Sequence, residues 1–202
     1  PFSDAYRMAV RFSTRPETLS KAFVRRPRSL ARLKRSRVVH LCGAPACGKS
    51  TFGAWLASEL GVLLLGIDAE RVALLKPDQA WPDNDAAAWG NLEDKIDAAG
   101  RCIVETSGWH GNDAMLLGGR AVFRVLFTAS EDVRRERLAS RGSLSAVVGW
   151  GADYVERIMR LGEPPSRDVA LTVDTTDGGP NEDEARGILA RVRGFLDAGT
   201  GS

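Results

Sequence analysis

The chain has 202 residues, 44% of them hydrophobic and 27% charged, with a formal net charge of +2. This is ordinary globular usage and enough length for one α/β domain, but not for two full ones. The longest apolar run, residues 62–65, falls far short of the roughly 20 residues of a membrane span, and no charged segment followed by an apolar one opens the chain, so neither a membrane partner nor a secretory signal is expected.

Taken in chain order, residues 1–36 read as a basic arm. Over residues 1–37 eleven Arg and Lys stand against Asp4 and Glu17, a net of +9 that leaves −7 for the rest. Pro1 is no initiator, which suggests a processed or trimmed start. One helix is expected in the arm, near residues 16–33, with Leu19, Phe23 and Leu30 among its apolar positions. If it is helical, Arg25, Arg28, Arg32 and Arg35 share a stripe.

The body, residues 37–198, alternates strand and helix. Residues 37–42 read as an apolar strand, followed by a Gly-rich turn and a helix over 49–60, where Phe52, Trp55, Leu56 and Leu60 recur at helical spacing. A short strand over 62–67 leads to a helix over 69–75 that Pro77 stops. A polar connection, 77–85, precedes a helix with Trp89, Leu92 and Ile96 on one face, ending before Gly100. Strands over 102–104 and 122–127 follow, and Ser130 caps a charged helix reaching about Ser140. A Gly/Ser-containing loop over 141–151, a helix near 152–161, a strand over 169–173 and a helix over 182–196 complete the body, and residues 199–202 form a frayed tail. In the final helix Ile188, Leu189 and Val192 face inward. Five strands separated by helices argue for an α/β fold with a five-stranded parallel sheet covered on both faces.

Cys42, Cys47 and Cys102 are odd in number and form no C-x-x-C, and with only His40 and His110 no zinc site is expected. Cys42 and Cys102 lie in apolar strands, where a free thiol acts as a small hydrophobe. A reducing, cytoplasmic location follows.

The most specific feature is Gly43-Ala44-Pro45-Ala46-Cys47-Gly48-Lys49-Ser50, a full match to G-x-x-x-x-G-K-[ST] between an apolar strand and an amphipathic helix. By residue frequencies alone, such a match arises by chance in about one chain in a hundred of this length. The motif suits a nucleoside triphosphate. Glycines let successive N–H groups point into one concavity, and the helix starting near Lys49 adds its positive end. Lys49 is expected to reach the β- and γ-phosphates of ATP and the Ser50 hydroxyl to ligate Mg²⁺. Thr51 adds a second hydroxyl with a structural role, and Cys47 occupies a variable position where a redox role is the alternative.

Gly-x-Pro-x-x-Gly-Lys-Ser-Thr resembles the adenylate-kinase-like group of P-loop kinases, over about residues 37–196. The resemblance implies a three-layer α/β sandwich around a five-stranded parallel sheet, with a mobile lid that bears arginines. Asp68 in Ile67-Asp68-Ala69-Glu70-Arg71 is similar to the Asp-x-x-Arg of polynucleotide-kinase-like enzymes, where the acid takes the acceptor hydroxyl's proton; the plain alternative is a helix cap. Arg71 then either holds a substrate phosphate or is a solvated helix residue. Glu105, at the end of Cys102-Ile103-Val104-Glu105, resembles a Walker B acid with Glu where Asp is usual. It binds Mg²⁺ or substrate, or is a polar strand end. Trp109, in the polar loop 106–112 with His110, stacks on a ring or is a plain aromatic.

Arg134, Arg137 and Arg141 fall on one helix face and resemble the lid arginines that neutralise the transferred phosphoryl group. Arg135 lies between them, and Arg157 and Arg160 repeat the pattern. A solvated charged helix is the alternative. Gly142, Gly149 and Gly151 are candidate hinges, and Asp174-Thr175-Thr176 resembles the segment bordering adenine in such kinases.

No N-K-x-D guanine motif is present, and no second acid follows Glu105 as in motor ATPases, so a kinase is favoured. The basic arm and the Asp-x-x-Arg spacing point to a nucleic-acid or nucleotide hydroxyl as acceptor. It would be a polynucleotide 5′-hydroxyl, or a base hydroxymethyl as in phage kinases of 5-hydroxymethyluracil in DNA. Two alternatives stand beside it: a small-molecule kinase resembling antibiotic, sugar or zeta-toxin-like enzymes, and an ATP-dependent nucleic-acid-binding switch with no acceptor. Oligomeric state is not legible in the sequence.

Overall fold

The computed structural model describes residues 36–74, 85–108, 111–140, 155–156, 159–160 and 168–198. The helix expected in the arm, Pro77, Trp109, His110, Arg141, the hinge glycines, Arg157 and the tail lie outside the described residues.

Five strands, β1 (Arg37–Gly43), β2 (Leu63–Gly66), β3 (Arg101–Glu105), β4 (Ala121–Thr128) and β5 (Leu171–Asp174), form one sheet in the order β2-β3-β1-β4-β5. Every pairing is parallel. The helices are α1 (Lys49–Leu60), α2 (Ile67–Leu74), α3 (Asp85–Ala99), α4 (Gly111–Leu117), α5 (Glu131–Ser140) and α6 (Glu182–Asp197). This is the five-stranded parallel α/β architecture expected from the sequence.

Because β1 is central, its side chains are covered on both faces, which explains an apolar run rather than an alternation. Val39 and Leu41 join Leu56 of α1 and Ile188, Val192 and Leu196 of α6 in one cluster, while Val38 joins Trp89, Leu92 and Ile96 of α3 and Leu116 of α4 in the other. The inward residues named for α1, α3 and α6 are therefore the ones that pack, although Phe52, Trp55, Leu60 and Leu189 are only partly buried.

Element ends follow local chemistry. Asn181 caps α6 by accepting from the amides of Asp183 and Glu184, and Glu184 Oε2 accepts from the Asn181 amide in return, a reciprocal arrangement that satisfies otherwise unpaired donors. Ser130 Oγ accepts from the Val133 amide at 3.4 Å, as expected of the α5 cap.

The last strand, expected over 169–173, runs Leu171–Asp174, and three other differences bear on the site. β2 stops at Gly66 and Ile67 opens α2, which places Asp68 in a helix's first turn rather than at a strand end. Asp85, read as connection, is the buried first residue of α3. The segment read as loop through 112 turns helical at Gly111. Each is a polar stretch whose helicity comes from tertiary contacts rather than from an apolar period.

The three cysteines are free and buried. Burial pushes the thiols of Cys42 and Cys102 up to about 11 and about 12, and that of Cys47 upward as well. A thiol held protonated in this way is a packing group, not a reactive one.

Candidate active site

In a parallel sheet with β3 and β4 on either side of β1, the chain leaves β1 at the point where connections diverge to opposite faces. That crevice is where ligands bind in open α/β sheets. Residues 43–50 occupy it. Gly43 has φ +146°, Ala46 +66° and Gly48 +86°, so the chain curls into a ring before α1 begins. A Cβ on Gly43 would lie 2.3 Å from the Phe127 carbonyl oxygen and 2.9 Å from Cys47 Sγ. Gly43→Ala should therefore destabilise the fold by about 3 kcal/mol or more, combining overpacking with backbone strain. Urea unfolding measures it, and a midpoint equal to wild type would contradict the ring geometry.

The ring's carbonyls are met by donors one after another. Lys49 Nζ donates to Gly43 O at 2.8 Å and Ala44 O at 2.9 Å. Arg134 Nε donates to Pro45 O at 3.1 Å, and Arg137 Nη1 to Ala46 O at 3.2 Å. Thr175 Oγ1 lies 3.1 Å from Cys47 O and 3.2 Å from Thr128 O, sharing its one proton between them. Arg137 also grips Thr175, donating to Oγ1 at 2.9 Å and to the carbonyl at 2.6 Å.

The carbonyls of residues 43–47 are thus all met by side-chain donors, while the Cys47 amide also donates to Ala44 O at 3.4 Å and Pro45 has no N–H to offer. Gly48 supplies no side-chain cap to α1 and the first turn carries no acid, which leaves the helix's positive end uncompensated.

At the rim, Ser50 Oγ donates to Glu105 Oε1 at 2.7 Å. A hydroxyl and a carboxylate at this spacing, both hard oxygen donors beside a phosphate ring, fit Mg²⁺, which takes one or two such protein ligands and fills its shell with water and phosphate. Among the described residues no cluster of three or more His, Cys, Asp and Glu could hold a metal ion. Thr51 is exposed on the first turn of α1.

Asp68 and Arg71 come together, and Arg71 is not a solvated helix residue. Arg71 bonds Asp68 Oδ1 at 3.0 Å and Asp85 Oδ1 at 2.7 Å, and lies 5.9 Å from the Trp89 ring centroid. Trp89 Nε1 in turn donates to Asp85 Oδ2 at 3.1 Å. Arg71 is a pinned strut between two carboxylates, with its side chain 11% exposed while that of Asp68 is 79% exposed. Asp85 was missed because its neighbours in the sequence look like loop; its signal was the Asp-x-x-x-Trp spacing, one helical turn.

On the helix after β4, Arg134 and Arg137 turn to the ring of residues 43–50, and Arg135 turns away to Glu131 and Glu156. Leu138 packs on Ala46, with Val155 and Met159 beside them.

Behind β3 lies a buried polar group that the sequence reading left unassigned. His40 Nε2 is 2.8 Å from Thr106 Oγ1, Thr106 donates to Asp113 Oδ2 at 3.0 Å, and Arg124 Nε donates to His40 Nδ1 at 3.3 Å. A histidine inside an apolar strand was the signal, since a buried polar group needs a partner.

Burial, with the charges of Arg124 and Lys49, holds His40 down at about 3, and burial pushes Asp113 up to about 6 despite its Thr106 hydrogen bond. These shifts have opposite consequences. As pH falls below 6.5 the unfolded chain protonates His40 and the folded chain does not, so stability is lost. Between about 6 and 3.8 the folded chain protonates Asp113 first, so stability is gained. The two slopes cancel in that window. Asp113→Asn should make stability fall more steeply with acid than in wild type between pH 6 and 4, by about 1.4 kcal/mol per pH unit. Denaturant titrations at several pH values test this, and parallel profiles would contradict it.

The fold is a parallel α/β sheet with a glycine-containing ring, residues 43–50, between β1 and α1. Neither a protein-family model nor a curated protein matches the sequence. The fold resembles a provisionally assigned kinase from Chloroflexus aurantiacus J-10-fl, at 24% identity and TM-score 0.62 over 83% of this chain and 100% of that one. It also resembles a gluconokinase from Sinorhizobium meliloti 1021 (18% identity, TM-score 0.53, 83% and 96% covered) and a sugar kinase from Janibacter sp. HTCC2649 (18%, 0.51, 80% and 94%). The fold is that of P-loop kinases. No helix among the described residues is long and apolar enough to cross a membrane.

Proposed function

We propose that the chain is an ATP-dependent kinase that phosphorylates a hydroxyl of a small polyhydroxylated molecule. The observation that carries the reading is the ring of residues 43–50, with Lys49 Nζ bonded inside it and the Ser50–Glu105 pair at its rim. The small acceptor draws support from the folds it resembles, two of which serve a gluconokinase and a sugar kinase.

In this reading the ring amides and Lys49 hold the β- and γ-phosphates, and Ser50 and Glu105 hold Mg²⁺. When bound, the ion neutralises charge on the phosphate oxygens. Asp68, exposed at the same sheet edge, accepts the proton of the acceptor hydroxyl as that oxygen bonds to the γ-phosphorus and the bond to the β,γ-bridging oxygen breaks, releasing ADP. Arg134 and Arg137 hold the carbonyl side of the ring in shape, and Arg141 and Trp109 are further candidates for neutralising the transferred phosphoryl group and for stacking on the acceptor.

A second reading, a nucleic-acid or nucleotide hydroxyl, rests on the +9 arm. It is weakened at the site, where Asp68 and Asp85 neutralise the arginine that would meet a substrate phosphate. Incubation with γ-labelled ATP and either pooled sugars and sugar acids or DNA and RNA with free 5′-hydroxyls separates the two. Label in small molecules is expected. Label confined to polynucleotide would transfer the acceptor to nucleic acid, and phosphate release without labelled acceptor would leave a nucleotide-driven switch.

A further inference from the structure

Thr106 directly follows Glu105, and its hydroxyl is saturated. It has one proton and two lone pairs, and three partners: Asp113 Oδ2 at 3.0 Å, His40 Nε2 at 2.8 Å and the Gly108 amide at 3.1 Å. The amide only donates and an ionised carboxylate only accepts, so Thr106 gives its proton to Asp113 and receives from the other two. This assigns His40 as the Nε2–H tautomer, whose Nδ1 lone pair takes the Arg124 Nε hydrogen at 3.3 Å. Side chains from β1 and α4 thus converge on one oxygen at the end of β3, with Arg124 of β4 held behind His40. His40 and Asp113 are buried, at 1% and 4% exposure, in a setting where such chains hold a single geometry.

Two backbone bonds tie the same turn to β1 and to the ring's first residue. The Thr106 amide donates to Leu41 O at 3.1 Å, and the Gly43 amide to Ser107 O at 3.4 Å. Gly108, at φ +83°, lets the turn fold back onto the hydroxyl. Glu105 is paired with Leu41 of β1 and Gly66 of β2, and residues 106–108 hold the chain where it leaves that pairing.

We infer that Thr106, held by His40 and Asp113, is a positioning residue that sets Glu105 against Ser50 and so governs how strongly the nucleotide site takes its divalent cation. This rests on the kinase reading above. A hydroxyl that merely fills core space is replaceable by a methyl group of similar volume, whereas one that orients the acid is not.

Calorimetric binding of ATP to the full chain, with and without Mg²⁺, separates these roles without using turnover. In wild type Mg²⁺ should tighten ATP binding. Thr106→Val should keep the metal-free affinity and lose about tenfold or more of the tightening, and Thr106→Ser should restore it. If valine prevents folding, Thr106→Ala carries the same comparison against serine. A wild-type ratio in the valine variant, or a serine variant as impaired as valine, would overturn the inference. Failure of wild type to bind ATP would overturn it together with the kinase reading. ATP binding with no phosphate acceptor found would overturn only the acceptor, leaving the ratio to decide on Thr106.

Discussion

Lys49→Ala should lower phosphoryl transfer by at least about a thousandfold while the chain stays folded. The ammonium is the cation bonded inside the ring, 2.8 Å from Gly43 O and 2.9 Å from Ala44 O, and no other described cation bonds those two carbonyls. In a site shielded from water a single fixed charge next to the transferred group is worth several kcal/mol in the transition state. Its structural share is smaller. Removing it costs hydrogen bonds worth about 1–3 kcal/mol together, a shift of a few degrees in thermal midpoint for a domain of this size. Steady-state rates with γ-labelled ATP, read beside a melting curve, make the comparison. Substantial transfer by a folded Lys49→Ala protein would remove the ring from the mechanism.

Asp68→Asn is the second large effect, and it should be selective. Asparagine keeps an oxygen in place for Arg71 Nη1, which now bonds Asp68 Oδ1 at 3.0 Å, so the strut between α2 and α3 is retained. What is lost is the ability to accept a proton. Turnover should fall by about 10²–10⁴-fold, the range for a positioned general base, with ATP affinity within about twofold of wild type. A parallel loss of ATP affinity would instead give Asp68 a structural role at the helix start, and unchanged turnover would place the base elsewhere.

The sheet and the curled glycine-containing ring were legible in the sequence for definite reasons. A central parallel strand announces itself as an unbroken apolar run, as Val38 to Cys42 nearly does, and the ring needs particular residues at particular steps, Gly43 for close approach to Phe127 and Gly48 for a left-handed turn. The partner choices were not legible. That Arg134 and Arg137 face the ring and Arg135 does not follows from helical spacing only once the helix is docked. That Arg71 is taken up by Asp85 depends on α3 lying against α2, a contact between residues fourteen positions apart. His40 looked like an isolated polar residue because Thr106 and Asp113 are 66 and 73 positions away in the sequence, and only strand pairing brings them together.

The continuous row of donors along the carbonyls of residues 43–47 has an entropic side. A glycine-containing loop left to itself samples many shapes, and a ligand must then meet the free energy of choosing one. Here the choice is made by groups that belong to other parts of the chain: Lys49 from α1, Arg134 and Arg137 from α5, and Thr175 from beyond β5. The ordering is completed when the domain folds, so on the proposed kinase reading a triphosphate would meet a ring whose shape is already chosen. Nucleotide association would then be closer to filling a mould than to wrapping a ribbon.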